Sequence, residues 1–276
     1  MNFESIISTI KSLPPLPKSV VEIQKLYVSG DPDIHLLVKI IEADPILTSD
    51  ILAEANSPLH SFSKKIIAVQ QVITLLGTSA IRSLALASST QKNFKLNFQP
   101  YGLSNADYSN MCNLQSMLMF QWYMSVDISK TKILIPLVFL SEMGKILIAN
   151  ELNDSEYTTI FQKEIKESDN ISEVEKMYTG TTTEAVNVLL YKHWNFDEMF
   201  VDIMEYLENP NEEKRYLQEY ANAIQVVHAA VNVNTLLTEE SIQKATLLAE
   251  SFGYDSARFE KTAKRIKQKL EEANLL

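Results

Sequence analysis

Residues 34–55 read IHLLVKIIEADPILTSDILAEA. Ile34, Leu37, Val38 and Ile41 stand at i, i+3, i+4 and i+7, so a helix of 3.6 residues per turn gathers them into one apolar stripe. Asp44 and Pro45 then supply an N-cap and a proline at the first helical position, where its missing N–H breaks no intrahelical bond. The stretch therefore reads as two short helices with a tight join. Val69, Val72, Ile73 and Leu76 repeat the spacing, Gly77 is a natural residue to follow a helix end, and Thr78 can cap a further helix bearing Ile81, Leu84 and Ala85. Short helices with tight connections account for residues 17–92.

Outward from there the pattern persists. The stretch QKNFKLNFQPYGLS (91–104) loses its period and contains Pro100 and Gly102, so residues 93–103 read as a linker between two helical subdomains. A long helix follows, with Tyr108, Met111, Cys112, Gln115, Leu118, Met119 and Trp122 on one face; Gln115 is its polar oddity. Further helices are predicted at 133–150, 155–167, 171–178, 182–194 and 197–208, with Pro136 weakening the start of the first. After Asn209-Pro210, Leu217, Tyr220, Ile224, Val227 and Val231 line another helix. In the last helix Phe259, Ala263, Ile266 and Leu270 face inward, while Arg258, Lys261, Lys264, Arg265, Lys267 and Lys269 form a basic side that reads as a solvated outer face. The expected fold is all-α, with no sheet larger than two short strands. Its divisions are an N-terminal subdomain at 1–92, the linker at 93–103, a second subdomain at 104–221 and C-terminal helices at 222–276.

Composition excludes several functions. The chain has 276 residues and six glycines, Gly30, Gly77, Gly102, Gly144, Gly180 and Gly253, too far apart for GxGxxG, GxxxxGK[ST] or GxSxG. A net charge of -10, from 25 Lys plus Arg and 35 Asp plus Glu, argues against a general nucleic-acid binder. One cysteine allows no intrachain disulfide, and its place on the stripe with Tyr108 and Met119 reads as a buried, inert thiol. The N-terminus MNFESIISTIKSLPPLP lacks signal-peptide character, and the longest apolar run, Ile133 to Leu140, falls short of a bilayer span. A soluble, cytoplasmic protein with no membrane insertion is expected. His35, His60, His193 and His228 show no metal-ligand spacing, and His228 reads as a hydrogen-bonded core histidine.

Three segments, LPPLPKSVVEIQKLY (13–27), ADPILTSDILAEANSP (43–58) and VITLLG (72–77), resemble in order and spacing the bacterial HD-related output domain family, HDOD. The likeness continues more weakly through 108–222. This family is similar to the HD and HD-GYP metal-dependent phosphohydrolases, all-α proteins whose His and Asp side chains hold divalent metals. The resemblance implies an HD-like helical bundle here, and it carries the ligand positions onto this chain one by one. The first ligand histidine falls on Gln115. The His-Asp of HDxGK falls on Ser141 and Glu142 in SEMGK, which keeps Gly144 and Lys145. A later histidine falls at Thr182 or Thr183, the His-His pair on Tyr206-Leu207, and the closing aspartate on Asn222.

On that reading every ligand histidine is replaced and Glu142 alone keeps a negative charge. A two-metal clamp needs imidazole and carboxylate oxygen ligands around an activated water. The expectation is a non-catalytic signalling or regulatory module with no cofactor, acting through protein partners. Two other readings stay open: a vestigial pocket that senses a small anion or nucleotide with Lys145 as its cation, and a phosphohydrolase with unexpected ligands.

Overall fold

The computed structural model describes residues 3–275 save 29, 61, 63 and 154. Among them fifteen α-helices follow one another: α1 (Phe3–Ser12), α2 (Lys18–Val28), α3 (Ile34–Glu42), α4 (Pro45–Ala55), α5 (Val69–Gln91), α6 (Asn105–Tyr123), α7 (Thr131–Leu140), α8 (Gly144–Asn153), α9 (Thr158–Glu167), α10 (Ile171–Thr179), α11 (Thr183–His193), α12 (Glu198–Glu208), α13 (Gln218–Ala230), α14 (Glu239–Ser251) and α15 (Ser256–Glu272). The strands are β1 (Val231–Asn232) and β2 (Thr235–Leu236), a two-residue antiparallel pair. The fold is all-α, as the periodicity requires.

Two compact units divide the chain. The first to be described, Pro14–Phe94, holds α2 to α5 around Val20, Ile23, Leu37, Ile41, Ile51 and Val72, all fully buried. Asp44 caps α4 as the sequence indicates, and Asp33 caps α3; each accepts two backbone N–H bonds, and Ser19 Oγ adds a third to Asp44 at 2.7 Å. The Ser19 hydroxyl and the Leu47 and Ile46 N–H groups hold the Asp44 carboxyl below its ordinary range. Asp44→Ala is therefore expected to lower stability by about 1 kcal/mol in urea melts near neutral pH. The difference should shrink as acid protonates the aspartate of the parent chain, because a carboxyl with a depressed native pKa stabilises only above that pKa. α5 bends at Gly77, whose φ of 83° and ψ of 166° end one helical run before Thr78 starts the next.

The second unit comprises residues up to Leu13 together with Lys95–Asn274. Its boundaries differ from the sequence expectation in three ways. α1 packs on α8 and α11, burying Ile6 and Ile10, so it does not join the helices of 14–94. The expected linker is partly core: a 3-10 turn at Gln99–Tyr101 packs on α8 and α9, and Phe98 and Tyr101 are buried. Residues 222–274 form no separate group, because α13 packs on α6, α7 and α12, and α15 on α6. The stripe read from α6 is buried throughout, Gln115 included. The helix expected at 133–150 is two helices, broken at 141–143.

Val69–Ser89 and Thr131–Asn153 are long and apolar enough to cross a membrane by length and composition. The second stretch is 89% buried within the protein and carries the buried charges Glu142 and Lys145. Four of the six basic residues of α15 are engaged along the protein's own surface. Lys267 pairs with Glu239 and Glu271, Lys264 with Glu260, Arg258 with Asp255, and Arg265 donates to Gln121.

Candidate functional site

The turn SEMGK between α7 and α8 organises the site. Gly144 is indispensable there, because a Cβ would stand 2.4 Å from the Thr183 carbonyl oxygen. That close approach brings the start of α11 against the start of α8. Asn187 of α11, fully buried, closes the contact: its Oδ1 accepts from the Gly144 N–H at 2.8 Å and its Nδ2 donates to the Ser141 carbonyl. Ser141 Oγ donates to the Val138 carbonyl at 2.8 Å and lies 2.9 Å from His228 Nε2. The one Ser141 proton being used at Val138, His228 Nε2 is the donor of the second bond.

Glu142 and Lys145, one helical turn apart, form a buried ion pair at 2.9 Å with side chains 4% and 7% exposed. Lys145 Nζ also lies 3.1 Å from Glu175 and 3.1 Å from Thr183 Oγ1. Three oxygens therefore surround the ammonium, Thr183 Oγ1 through a hydrogen bond and the two carboxylates as ion pairs. Glu175 of α10, wholly buried, accepts from Tyr101 at 2.9 Å and from Thr183 Oγ1 and N at 2.8 and 2.7 Å. Gln115 reaches in from α6, its Nε2 donating to Glu142 at 2.9 Å and to the Val231 carbonyl at 3.0 Å. Burial pushes the Glu142 carboxyl up, but Lys145, His228 and the Gln115 amide outweigh it and hold the group at about 2. Burial likewise disfavours charge on Lys145, and Glu142 and Glu175 more than offset it, so the ammonium persists. Burial lowers the pKa of His228 and outweighs the pull of Glu142, which lies 3.7 Å away.

A cleft of about 740 Å³ opens over this cluster. Glu142, Lys145 and His228 line it, with Thr182 and Glu184 from the start of α11, Leu207 and Glu208 from the end of α12, and Gln225 from α13. A divalent metal does not fit the residues present. The position between Glu142 and Glu175 belongs to the Lys145 ammonium, which would repel it, and no group of three His, Cys, Asp or Glu among the described residues is disposed to hold a metal.

The sequence matches the HDOD domain over residues 13–210. The chain belongs to the HDOD family. No curated protein matches it. Among solved structures it is similar to a virulence factor from Campylobacter jejuni, at 24% identity with a TM-score of 0.55, over 95% of this chain and 96% of that one. A candidate phosphohydrolase from Shewanella amazonensis gives 18% identity and a TM-score of 0.68, covering 99% and 98%. An HDOD domain protein with unknown function from Geobacter sulfurreducens gives 17% and 0.62, covering 99% and 95%. At these identities the likeness is one of fold.

Of the positions carried over from the HD pattern, this HDOD chain brings Gln115, Ser141, Glu142, Lys145, Thr182 and Thr183 together. Tyr206 and Asn222 stay out of the cleft. One residue of helix rotates by about 100°, so Leu207 and Glu208 face the cleft where Tyr206 packs into the core, and Asn222 lies about 9 Å along α13 from His228. Glu142 is also not the only charge of its sign there: Glu175 and Glu184 stand beside it. His228 is hydrogen-bonded as expected, but it is not a core residue: its side chain is 25% exposed and lines this cleft. Glu175, Glu184, Asn187 and His228 carried no local motif. The one available signal was polarity inside otherwise apolar helices.

Proposed function

We propose that this HDOD chain is a non-catalytic signalling or regulatory module of the bacterial cytoplasm, acting through contact with protein partners. The observation that supports it best is the Lys145 ammonium between Glu142 and Glu175, where a catalytic relative needs a metal and its activated water. Gln115, Ser141 and Thr182 or Thr183 stand where imidazole ligands are required, and His228 is bound to Ser141.

The small-anion reading finds less support. Lys145 is already paired with Glu142 and Glu175 and bonded to Thr183, and those two carboxylates repel an incoming phosphate or carboxylate. With added Mn, Fe or Mg, hydrolysis of cyclic dinucleotides and phosphomonoesters is expected to stay at background, with no stoichiometric metal in the purified protein. Turnover that disappears in Glu142→Ala would overturn the proposal. Affinity capture from the native cell, with mass spectrometry, identifies the partner.

A further inference from the structure

The first half of α5 has two faces of different character. Val69, Val72 and Ile73 are buried in the unit of residues 14–94. On the other side stand Gln70, Gln71, Thr74 and Leu75, all exposed, with Ile67 just ahead of the helix start. Ile67 is 72% exposed and Leu75 48%. Polar atoms between them are turned back on the chain: Thr74 Oγ1 donates to the Gln70 carbonyl at 2.9 Å, and Gln71 Oε1 accepts from the Ile67 N–H at 3.1 Å. Between Lys65 and Lys92 the only charged residue is Arg82, and it is buried. A surface helix ordinarily carries charges on its outer side, and an apolar stripe there marks a docking face.

Charge decides what covers it. Residues 14–94 hold seven Lys and Arg against seven Asp and Glu, so the net charge of -10 lies wholly outside this unit. Two copies of so acidic a chain repel one another, and this neutral unit is where they can approach. The two ends of the stripe also differ in sign. Exposed Lys64 and Lys65 precede Ile67. At the far end the Tyr27 hydroxyl donates to the Thr78 carbonyl, and the carboxylate of exposed Asp31 lies near enough to act on that hydroxyl. A two-fold axis through Gln71 therefore brings Ile67 of one copy to Leu75 of the other, and the lysine end of each stripe to the Asp31 end of its mate.

We infer that the chain self-associates as a two-fold dimer through antiparallel pairing of its α5 faces. An isologous contact needs a patch that complements itself, and an uncharged stripe with opposite charges at its two ends does so. The inference goes beyond the functional reading above and does not depend on it.

Sedimentation velocity of the full chain from about 1 µM to about 500 µM tests it, since weak pairings through a modest face fall in the micromolar to millimolar range. A reversible monomer–dimer equilibrium is expected. Ile67→Glu and Leu75→Glu should each raise the dissociation constant about tenfold or more, because each sets a carboxylate in an apolar contact. The double variant Ile67→Lys with Leu75→Glu should return to within about threefold of the parent, since antiparallel pairing sets each new lysine against the other copy's new glutamate. Parallel pairing would set like against like. Leu247→Glu, an exposed change on α14, should leave association unaltered, and thermal melts confirm that every variant folds. A chain that stays monomeric, a dimer indifferent to Ile67 and Leu75, or a double variant no better than the single ones would overturn the inference. So would a monomer that loses a captured cellular protein on Leu75→Glu, which would give the face to a different protein. None of these results touches turnover or metal content, which decide the non-catalytic reading.

Discussion

Lys145→Ala is expected to lower the free energy of unfolding by about 3–5 kcal/mol, because removing one member of a buried ionic cluster strands the others. Two carboxylates lose their counter-charge at once, and with side chains 4% and 0% exposed neither can recover it from water. The parent chain and the variant should also respond to pH in opposite ways. In the parent, Glu142 is held at about 2, so its contribution is complete above the ordinary carboxylate range and is lost as pH falls toward 2. In the variant Glu142 loses the cation that holds its carboxyl down, so stability is regained as acid neutralises it. Urea melts from about pH 2 to about pH 8 check both statements. A change near zero would mean that the pair is screened by solvent and worth only a few tenths of a kcal/mol, like any exposed i, i+3 pair.

Gly144→Ala should cost about 3 kcal/mol, at the upper end of overpacking effects, although it adds a single methyl group. The added carbon meets backbone, the Thr183 carbonyl oxygen at 2.4 Å and its Cα at 3.1 Å, so no side-chain rotation relieves the clash. The relief available is a shift of α11 away from α8. That shift also lengthens the Asn187 bond to the Gly144 N–H and the Thr183 bond to Lys145. Gly180→Ala is the control: its φ of 75° strains an alanine, but no atom lies within 4 Å of the added carbon, so a smaller loss of about 1 kcal/mol is expected. A Gly144→Ala variant within about 0.5 kcal/mol of the parent would show that the two helices slide freely.

Both variants act on contacts that the sequence could present only in part. Period was enough for α3 and α6 and the Asp44-Pro45 start signal for α4, since a helix shows its buried face in the spacing of its own residues. Gln115 shows how far that goes: a polar residue on an apolar stripe marks an inward-facing exception, whose amide is spent on Glu142 and the Val231 carbonyl. Lys145 and Glu142 were readable as partners because they lie one turn apart. Glu175 and Asn187 were not, because each meets the SEMGK turn from a helix whose local pattern gives no sign of what it will pack against. Tyr101 was lost to the same blindness, since a stretch without period reads as linker even when its hydroxyl is bonded to Glu175 in the core. The errors at Tyr206 and Asn222 are of another kind. Matching positions one by one presumes conserved helix phase and length, and a shift of one residue exchanges a core side chain for a cleft side chain.

The ammonium between Glu142 and Glu175 also changes what the site asks of its surroundings. A bound metal leaves by mass action when its free concentration falls, and its ligands then repel one another. A counter-ion carried on the chain has no dissociation constant. The centre of this unit therefore holds its geometry under chelators, metal starvation or a change of oxidation state, conditions under which a metal-built homologue would loosen.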